Sequence, residues 1–297
     1  MSSAETPLRI VSANEVWKEN EDSGKIAFSH TAIVAFRGET AYHGTTTGRN
    51  TALDKEALLK TLKPIPREHI YPQFSSHFTR APEIHIKTPS LSLYEPDQAQ
   101  QIADLLLHEA EIYEILRRHP HPNLGQSLGC VVSDDGRITG LALVKYNGLG
   151  LFERAYDPES FGEEQRNHCI ERLKVAVQHL HDLGLAHNDL SPENVMFTDD
   201  GEPVLLDFDS CHPIGTKLIK GGQVGEFENG IPVAKYESSS ADCDNAGIEY
   251  ISAWLKRKYE ERKSKNDPRK RDYEPVEESL GETCAKSSNE CTEISEE

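Results

Sequence analysis

The sequence has no run of about 18 or more apolar residues, the length a membrane-crossing helix needs, so no membrane partner is expected. Residues 1–10 have no basic cluster followed by an apolar stretch, so they do not read as a secretory signal. Cysteine is sparse. Cys130, Cys169, Cys211, Cys243, Cys284 and Cys291 form no C-x-x-C pair and no zinc-finger spacing with histidine, so reduced thiols are expected rather than a disulfide framework or a structural zinc. Positive charge is also short, with 32 Lys and Arg against 50 Asp and Glu, a formal net charge of −18. That balance argues against a nucleic-acid partner, because phosphate contacts need basic surface. Together these absences point to a cytoplasmic chain. Its apolar fraction of 36% can still fill a core, although a mean hydropathy of −0.60 implies much charged or unstructured sequence.

What is present alternates between sheet and helix signals. Residues 1–25 are polar and read as a flexible N-terminal arm with one candidate anchor at Val16 and Trp17. Two β-rich stretches flank Gly38 and predict a hairpin. A polar loop over 45–50, a short helix over 53–62 and an irregular connection with four prolines over 63–82 follow. Residues 84–87 alternate as a short strand does. Ile102, Leu105, Leu106, Glu109, Ile112, Tyr113 and Leu116 then recur at three- and four-residue steps, predicting a helix over 96–118. Residues 128–133 and 138–146 predict a hairpin around Asp-Asp-Gly. A second long helix over 161–183 buries Ile170, Leu173, Val177 and Leu180 and ends before Gly184. A hairpin over 195–206 and a third helix over 241–255 complete an α+β pattern. Beyond these, residues 256–271 hold nine basic and three acidic residues, and 272–297 hold one and nine, so a disordered charged tail is expected over 259–297.

The chemistry-bearing signal is His-Asn-Asp-Leu-Ser-Pro-Glu-Asn over 187–194, followed after a hairpin by Asp207, Phe208 and Asp209. A histidine two before an aspartate is a weak motif alone. The eight-residue run, the hairpin and the Asp-Phe pair together resemble the catalytic loop and metal-binding motif of the protein-kinase-like superfamily, in particular divergent fungal members with Asp-Phe-Asp. The resemblance covers roughly 84–255. It implies a two-lobed fold with an N-lobe over 26–146 carrying an insertion at 45–82, and a truncated helical C-lobe over 147–258.

The same resemblance implies the site residues. ATP and Mg²⁺ would be bound, with Asp207 giving a carboxylate and Asn194 an amide oxygen to the metal. Asp189 would accept the proton of an oriented hydroxyl; the bland alternative is a loop-capping carboxylate. His187 would pack under Phe208. Lys87 resembles the strand lysine that holds the α- and β-phosphates, with a plain surface lysine as its alternative. Glu109 resembles its helix partner; Tyr113, four residues on, fits the family's large apolar position, and Glu111 lies about 200° away on a helix. Glu111 and Glu114 read as solvent-facing. Val144, Lys145, Tyr146 and Asn147 resemble the pocket wall and hinge that meet adenine.

Several positions depart from the family. No glycine occurs over 67–83, so no glycine-rich loop precedes Lys87; the phosphate-covering hairpin would be 26–36, with its turn at Ser29, His30 and Thr31. Asn188 replaces the arginine that commonly pairs with a phosphorylated activation loop, Ser191 replaces the usual lysine, and Asp209 replaces glycine. Asp242 resembles the aspartate that braces the catalytic loop, with Asp244 close behind. The implied function is an ATP- and Mg²⁺-dependent protein kinase of the Ser/Thr type acting on a protein substrate. The alternatives are a pseudokinase or ATP-binding scaffold, and a small-molecule kinase of the aminoglycoside or choline type. Two basic clusters in 256–271 leave a solvated helix end and a nuclear-import signal both open.

Overall fold

The computed structural model describes residues 7–19, 25–91, 94, 96, 100–157, 161–225 and 234–265. Its contacts divide the chain into two units. The first draws on Met1–Phe78, Lys87–His108 and Cys130–Leu141; the second on Thr79–Ile86, Glu109–Gly129 and Ala142–Glu297.

The first unit is organised by an antiparallel sheet of β1 (Arg9–Glu19), β2 (Ile26–Arg37), β3 (Thr40–Thr46) and β4 (Lys63–Pro64), in that spatial order. Strand side chains alternate between faces, and β2 uses both. Ile33 and Ala35 join Leu8, Leu58 and Leu62 in one apolar cluster. Val34 points the other way, into a cluster with Ala41, Ile65, Ile70, Leu91 and Ile102. Each such aliphatic side chain contributes about 1.5–3 kcal/mol when fully buried. Helices α1 (Lys55–Thr61) and α2 (Arg67–Ile70) supply Leu58 and Ile70 to these clusters. The Asp54 side chain accepts the Ala57 N–H, capping α1.

Two expectations fail in this unit. The arm over residues 1–25 is a paired strand over 9–19, held to β2 from Arg9–Phe36 to Glu19–Ile26 with two register shifts. Its sequence hides this because Asn14, Glu15 and Lys18 interrupt the apolar pattern. Partners across the sheet compensate: Trp17 meets Phe28 edge-on at 5.9 Å, and the Arg49 guanidinium lies over both rings at 4.8 and 4.7 Å. The proposed phosphate-covering turn at Ser29, His30 and Thr31 is interior to β2, which runs unbroken to Arg37; β-branched and aromatic residues on both sides favour continuing the strand. The turn falls at Gly38 instead, as the hairpin signal predicted.

The strand expected over 84–87 is β5, Ile86–Lys87 only, since His85 has φ 39°. Helix α3 (Gln101–Arg118) starts later than residue 96, and the division between units falls after its His108. Strands β6 (Ser127–Val132) and β7 (Ile138–Leu143) form the expected hairpin, with the Ser133 N–H donating to Arg137 O across the turn.

The second unit is mainly helical. After a short α4 (Leu151–Arg154), α5 (Glu163–Asp182) buries Cys169, Ile170, Leu173, Ala176, Val177 and Leu180. Strand β8 (Leu185–Ala186) follows and pairs with β11 (His212–Pro213). Between them β9 (Val195–Phe197) and β10 (Pro203–Leu205) form the second predicted hairpin. Strands β12 (Gln223–Val224) and β13 (Ala234–Lys235) close a ribbon before α6 (Ala241–Lys265).

Helix α6 continues ten residues past Leu255, into the segment read from sequence as tail. Basic side chains there find aromatic partners: Arg262 lies 4.9 Å from the Tyr156 ring, and Arg166 of α5 lies 3.7 Å from the Tyr259 ring. Glu261 pairs with Arg257 and Lys258 one turn back. Residues 266–297 of the expected tail lie outside the described residues. Cys130, Cys169, Cys211 and Cys243 are buried, and burial pushes the Cys169 thiol up to about 12. Among the described residues no helix is long and apolar enough to cross a membrane.

Candidate active site

The loop over 187–194 is fixed from beneath by one carboxylate. Asp244, wholly buried in the first turn of α6, accepts the His187 N–H at 2.8 Å through Oδ2 and the Asn188 N–H at 2.7 Å through Oδ1. His181 Nε2 lies 2.9 Å from Oδ2. The bracing aspartate is therefore Asp244 and not Asp242, which is exposed. Both lie in the helix's first turn, where the dipole favours a carboxylate. The 3.6-residue repeat turns only Asp244 inward.

Asn188 has φ 62°, a left-handed conformation that asparagine tolerates better than most residues. Its buried amide nitrogen faces Ala186 O at 2.7 Å, Ser210 O at 3.0 Å and Ser239 Oγ at 3.0 Å. Its Oδ1 accepts the Ser240 N–H at 3.2 Å, and its carbonyl accepts the Gly222 N–H at 2.7 Å. A neutral side chain thus ties the loop to Ser210, Ser239 and Ser240, where the resemblance would place a charged arginine.

His187 is buried, with its ring edge-on to Phe208 at 5.3 Å. Its Nε2 lies 3.0 Å from Leu206 O, which can only accept, so Nε2 carries the proton. Tyr113 meets the other side of Phe208 at 5.3 Å. Glu109, four residues before Tyr113, is buried, whereas Glu111 is exposed. Glu114, expected to face solvent, is also buried. Its carboxylate accepts the Thr79 N–H at 2.6 Å and pairs with Arg117 at 2.8 Å, a long-range partnership that local periodicity does not reveal.

Asp189 and Asn194 come together on the open side of the loop. Asn194 Nδ2 donates to Asp189 O at 2.8 Å and lies 3.4 Å from its Oδ2. Burial pushes the Asp189 carboxyl up; Asp207 and Asp209 push the same way, against His187 and Lys220. Asp207 sits at φ 64°, a strained position for a non-glycine residue of the kind that collects at functional sites. Asp209 contacts the Lys220 ammonium and the Ser210 hydroxyl, at 3.1 Å for the latter. Sequence reasoning named Asp209 only as a replacement for glycine and missed Lys220, which no motif marks. A cavity of about 600 Å³ opens beside Asp189, lined also by Lys217, Lys220, Gln223, Lys235 and Tyr236.

The remaining implied residues are distributed between the units. Lys87 is half-buried in β5 and belongs to the first unit. Val144, Lys145, Tyr146 and Asn147 belong to the second, where the Val144 N–H donates to Gln126 O at 2.9 Å and burial raises the Tyr146 phenol. Among the described residues, no three His, Cys, Asp or Glu side chains form a metal cluster. Mg²⁺ does not require one, since it takes one or two protein oxygens and completes its shell with phosphate and water. The hard oxygens of Asp207 and Asn194 fit that donor set, and the negative charges of Asp207 and Asp209 that act on Asp189 favour a cation.

Known sequences resemble one part of the chain. Residues 89–224, a little under half of the chain, match the protein kinase domain family. "Probable serine/threonine-protein kinase fhkD" of Dictyostelium discoideum is 34% identical over 90 residues, 30% of this chain and 12% of that protein. Calcium/calmodulin-dependent protein kinase type 1B of Rattus norvegicus is 33% identical over 97 residues, 32% of this chain and 28% of its own length. Hormonally up-regulated neu tumor-associated kinase of Mus musculus is 30% identical over 103 residues, 35% and 14% of the two chains. The chain thus spans less than a third of the curated relatives it matches. Residues 89–224 thus resemble a protein kinase domain, and the helices and sheets of the chain fit an α+β kinase-like fold.

Proposed function

We propose that the chain is an ATP- and Mg²⁺-dependent protein kinase of the Ser/Thr type, with Asp189 as the proton acceptor. The observation that carries this reading is the joint placement of Asp189 and Asn194, 2.8 Å apart through the Asn194 amide and the Asp189 carbonyl, within the electrostatic reach of Asp207. In the proposed reaction a protein hydroxyl oxygen bonds to the γ-phosphorus while the β–γ bridging P–O bond breaks and ADP leaves. The hydroxyl proton passes to the Asp189 carboxylate. A carboxyl whose pKa is raised is a stronger base than an ordinary aspartate. Asp207 and Asn194 would hold Mg²⁺, whose chemistry is to offset charge on the phosphate oxygens. Lys87 would orient the α- and β-phosphates with Glu109 as its partner, and the backbone over 144–147 would meet adenine.

The reading extends to regulation, shape and location. Asn188 holds Ser210 and Ser239 with neutral hydrogen bonds, so activity is proposed to need no activation-loop phosphate. A shortened helical C-lobe of the Asp-Phe-Asp kind and a cytoplasmic location belong to the same proposal, with no nucleic-acid partner.

The test uses purified full-length protein, labelled ATP, Mg²⁺ and generic protein acceptors, beside Asp189→Asn and Asp207→Asn. Label on protein from the wild type only, at least a hundredfold above either variant, is expected. Equal label on all three would refute the assignment. Mg²⁺-dependent ATP binding without transfer would turn it to a scaffold, and label on aminocyclitols or choline alone to a small-molecule kinase.

A further inference from the structure

The charges of Asp207 and Asp209 both act on Asp189, and Ser191 contributes no positive charge to offset them. A terminal phosphoryl group reaching Asp189 would add two negative charges more. Like charges a few ångströms apart in a partly buried site repel one another, so an unbalanced group of this kind would be held off. One lysine comes in from outside the recognised motifs. Lys220 contacts Asp209, acts electrostatically on Asp189 and lines the same cavity.

The backbone around Lys220 is built to hold it there. Gly221 and Gly222 both have positive φ, 77° and 76°. A Cβ on Gly221 would lie 2.8 Å from Asn188 O and 2.8 Å from Ser210 Cβ, so glycine alone lets this turn close onto the catalytic loop. The Gly222 N–H donates to Asn188 O at 2.7 Å, and Tyr236 N–H donates to Gly222 O at 2.7 Å. The turn is therefore clamped on the loop on one side and on Tyr236, just past β13, on the other.

We propose that Lys220 is a phosphoryl-binding residue, supplying from the 210–225 segment the cation that Ser191 lacks, with the terminal phosphate of a nucleoside triphosphate as its ligand. This rests on the kinase reading above. An ammonium carries three N–H donors and acts as a point charge toward phosphate, so one group can face Asp209 and a phosphoryl oxygen together. Asp209 is then the carboxylate that aims it.

The experiment measures Mg·ATP and Mg·ADP affinity by calorimetry, and transfer to protein, for full-length wild type, Lys220→Met, Lys220→Arg, Ser191→Lys/Lys220→Met and Asp209→Asn/Lys220→Met. Because ADP lacks the terminal phosphate, Lys220→Met is expected to weaken Mg·ATP about tenfold while Mg·ADP stays within about twofold, the size of one lost charge-assisted contact. Lys220→Arg and Ser191→Lys/Lys220→Met should each regain most of that loss, which also shows that the fold tolerates the site's alteration. Equal weakening of ATP and ADP, or of neither, overturns the proposal. Rescue by Asp209→Asn also overturns it, since Lys220 would then only neutralise Asp209. Transfer that depends on Asp189 but not on Lys220 removes this inference and leaves the kinase reading standing. Absence of both Mg·ATP binding and Asp189-dependent transfer in the wild type removes both.

Discussion

Replacing Asp244 should destabilise the second unit far more than replacing Asp242, two residues away on the same helix turn. Asp244 is fully buried and accepts the His187 and Asn188 N–H groups at 2.8 and 2.7 Å, with His181 Nε2 a third partner at 2.9 Å. Asp244→Ala leaves two buried backbone donors unpaired, at about 1–3 kcal/mol each, so a loss of about 2–6 kcal/mol is expected. That is a large part of the 5–15 kcal/mol typical of a whole domain. At about 2–4 °C per kcal/mol for a unit of this size, Tm should fall by about 5–20 °C. Asp244→Asn should fall between: its amide oxygen can serve one N–H, but its NH₂ then meets a donor.

Asp242→Asn is the control. Asp242 also lies in the first turn of α6, so it shares the dipole term of about 0.3–1 kcal/mol but is exposed. The difference between Asp244→Ala and Asp242→Asn in urea or thermal unfolding therefore isolates the buried hydrogen bonds. Equal midpoints for the two variants would refute the bracing role. A second readout sharpens it: amide exchange at His187 and Asn188 should rise in Asp244→Ala and stay unchanged in Asp242→Asn.

Asn188→Ala removes the amide bonds to Ala186, Ser210, Ser239 and Ser240 and should cost about 2–4 kcal/mol, with hydrogen exchange rising over 210–225 and 234–240; protection equal to wild type would contradict the hub. Gly222→Ala puts a Cβ 2.3 Å from Tyr236 O at φ 76°, so at least about 1–2 kcal/mol of stability should be lost in a denaturant titration, and an unchanged midpoint would count against the clamped turn. Glu202 is held below its ordinary 4.5 by the Arg172 guanidinium, with His168 adding to it against partial burial. Its contribution is therefore present above pH 4.5 and lost as pH falls through the lower folded value. Solvent screening keeps it below about 1 kcal/mol, so Glu202→Gln should lower Tm slightly at pH 6, by an amount that shrinks as the pH falls below 4.5, and a gap independent of pH would refute this.

The parts of the site that could be read from sequence are those whose chemistry is local. Residues 187–194 and 207–209 form short runs in which neighbours explain each other, and β9 and β10 around the Asp199, Asp200 and Gly201 turn carry one run toward the other. The α5 stripe of Ile170, Leu173, Val177 and Leu180 was legible for the same reason, since a helix repeats its buried face every three to four residues. What failed depends on partners distant in sequence. Strand β1 is half polar and becomes a strand only because β2 supplies hydrogen bonds and Arg49 covers Trp17. Glu114 is buried because Thr79 offers an N–H from 35 residues away. The choice between Asp242 and Asp244 turned on helix phase against loop 187–188, which two near-identical aspartates do not encode in one dimension. The departures from the kinase pattern follow the same rule. Asn188 and Asp209 look like losses when set beside a motif. In space each has gained a partner from residues 210–240: Ser210, Ser239 and Ser240 for Asn188, and Lys220 for Asp209. Charge and hydrogen bonding at the loop are thus rebalanced by a segment that carries no motif, which is why testing Lys220 and Asn188 probes the site more directly than further comparison of its conserved-looking run.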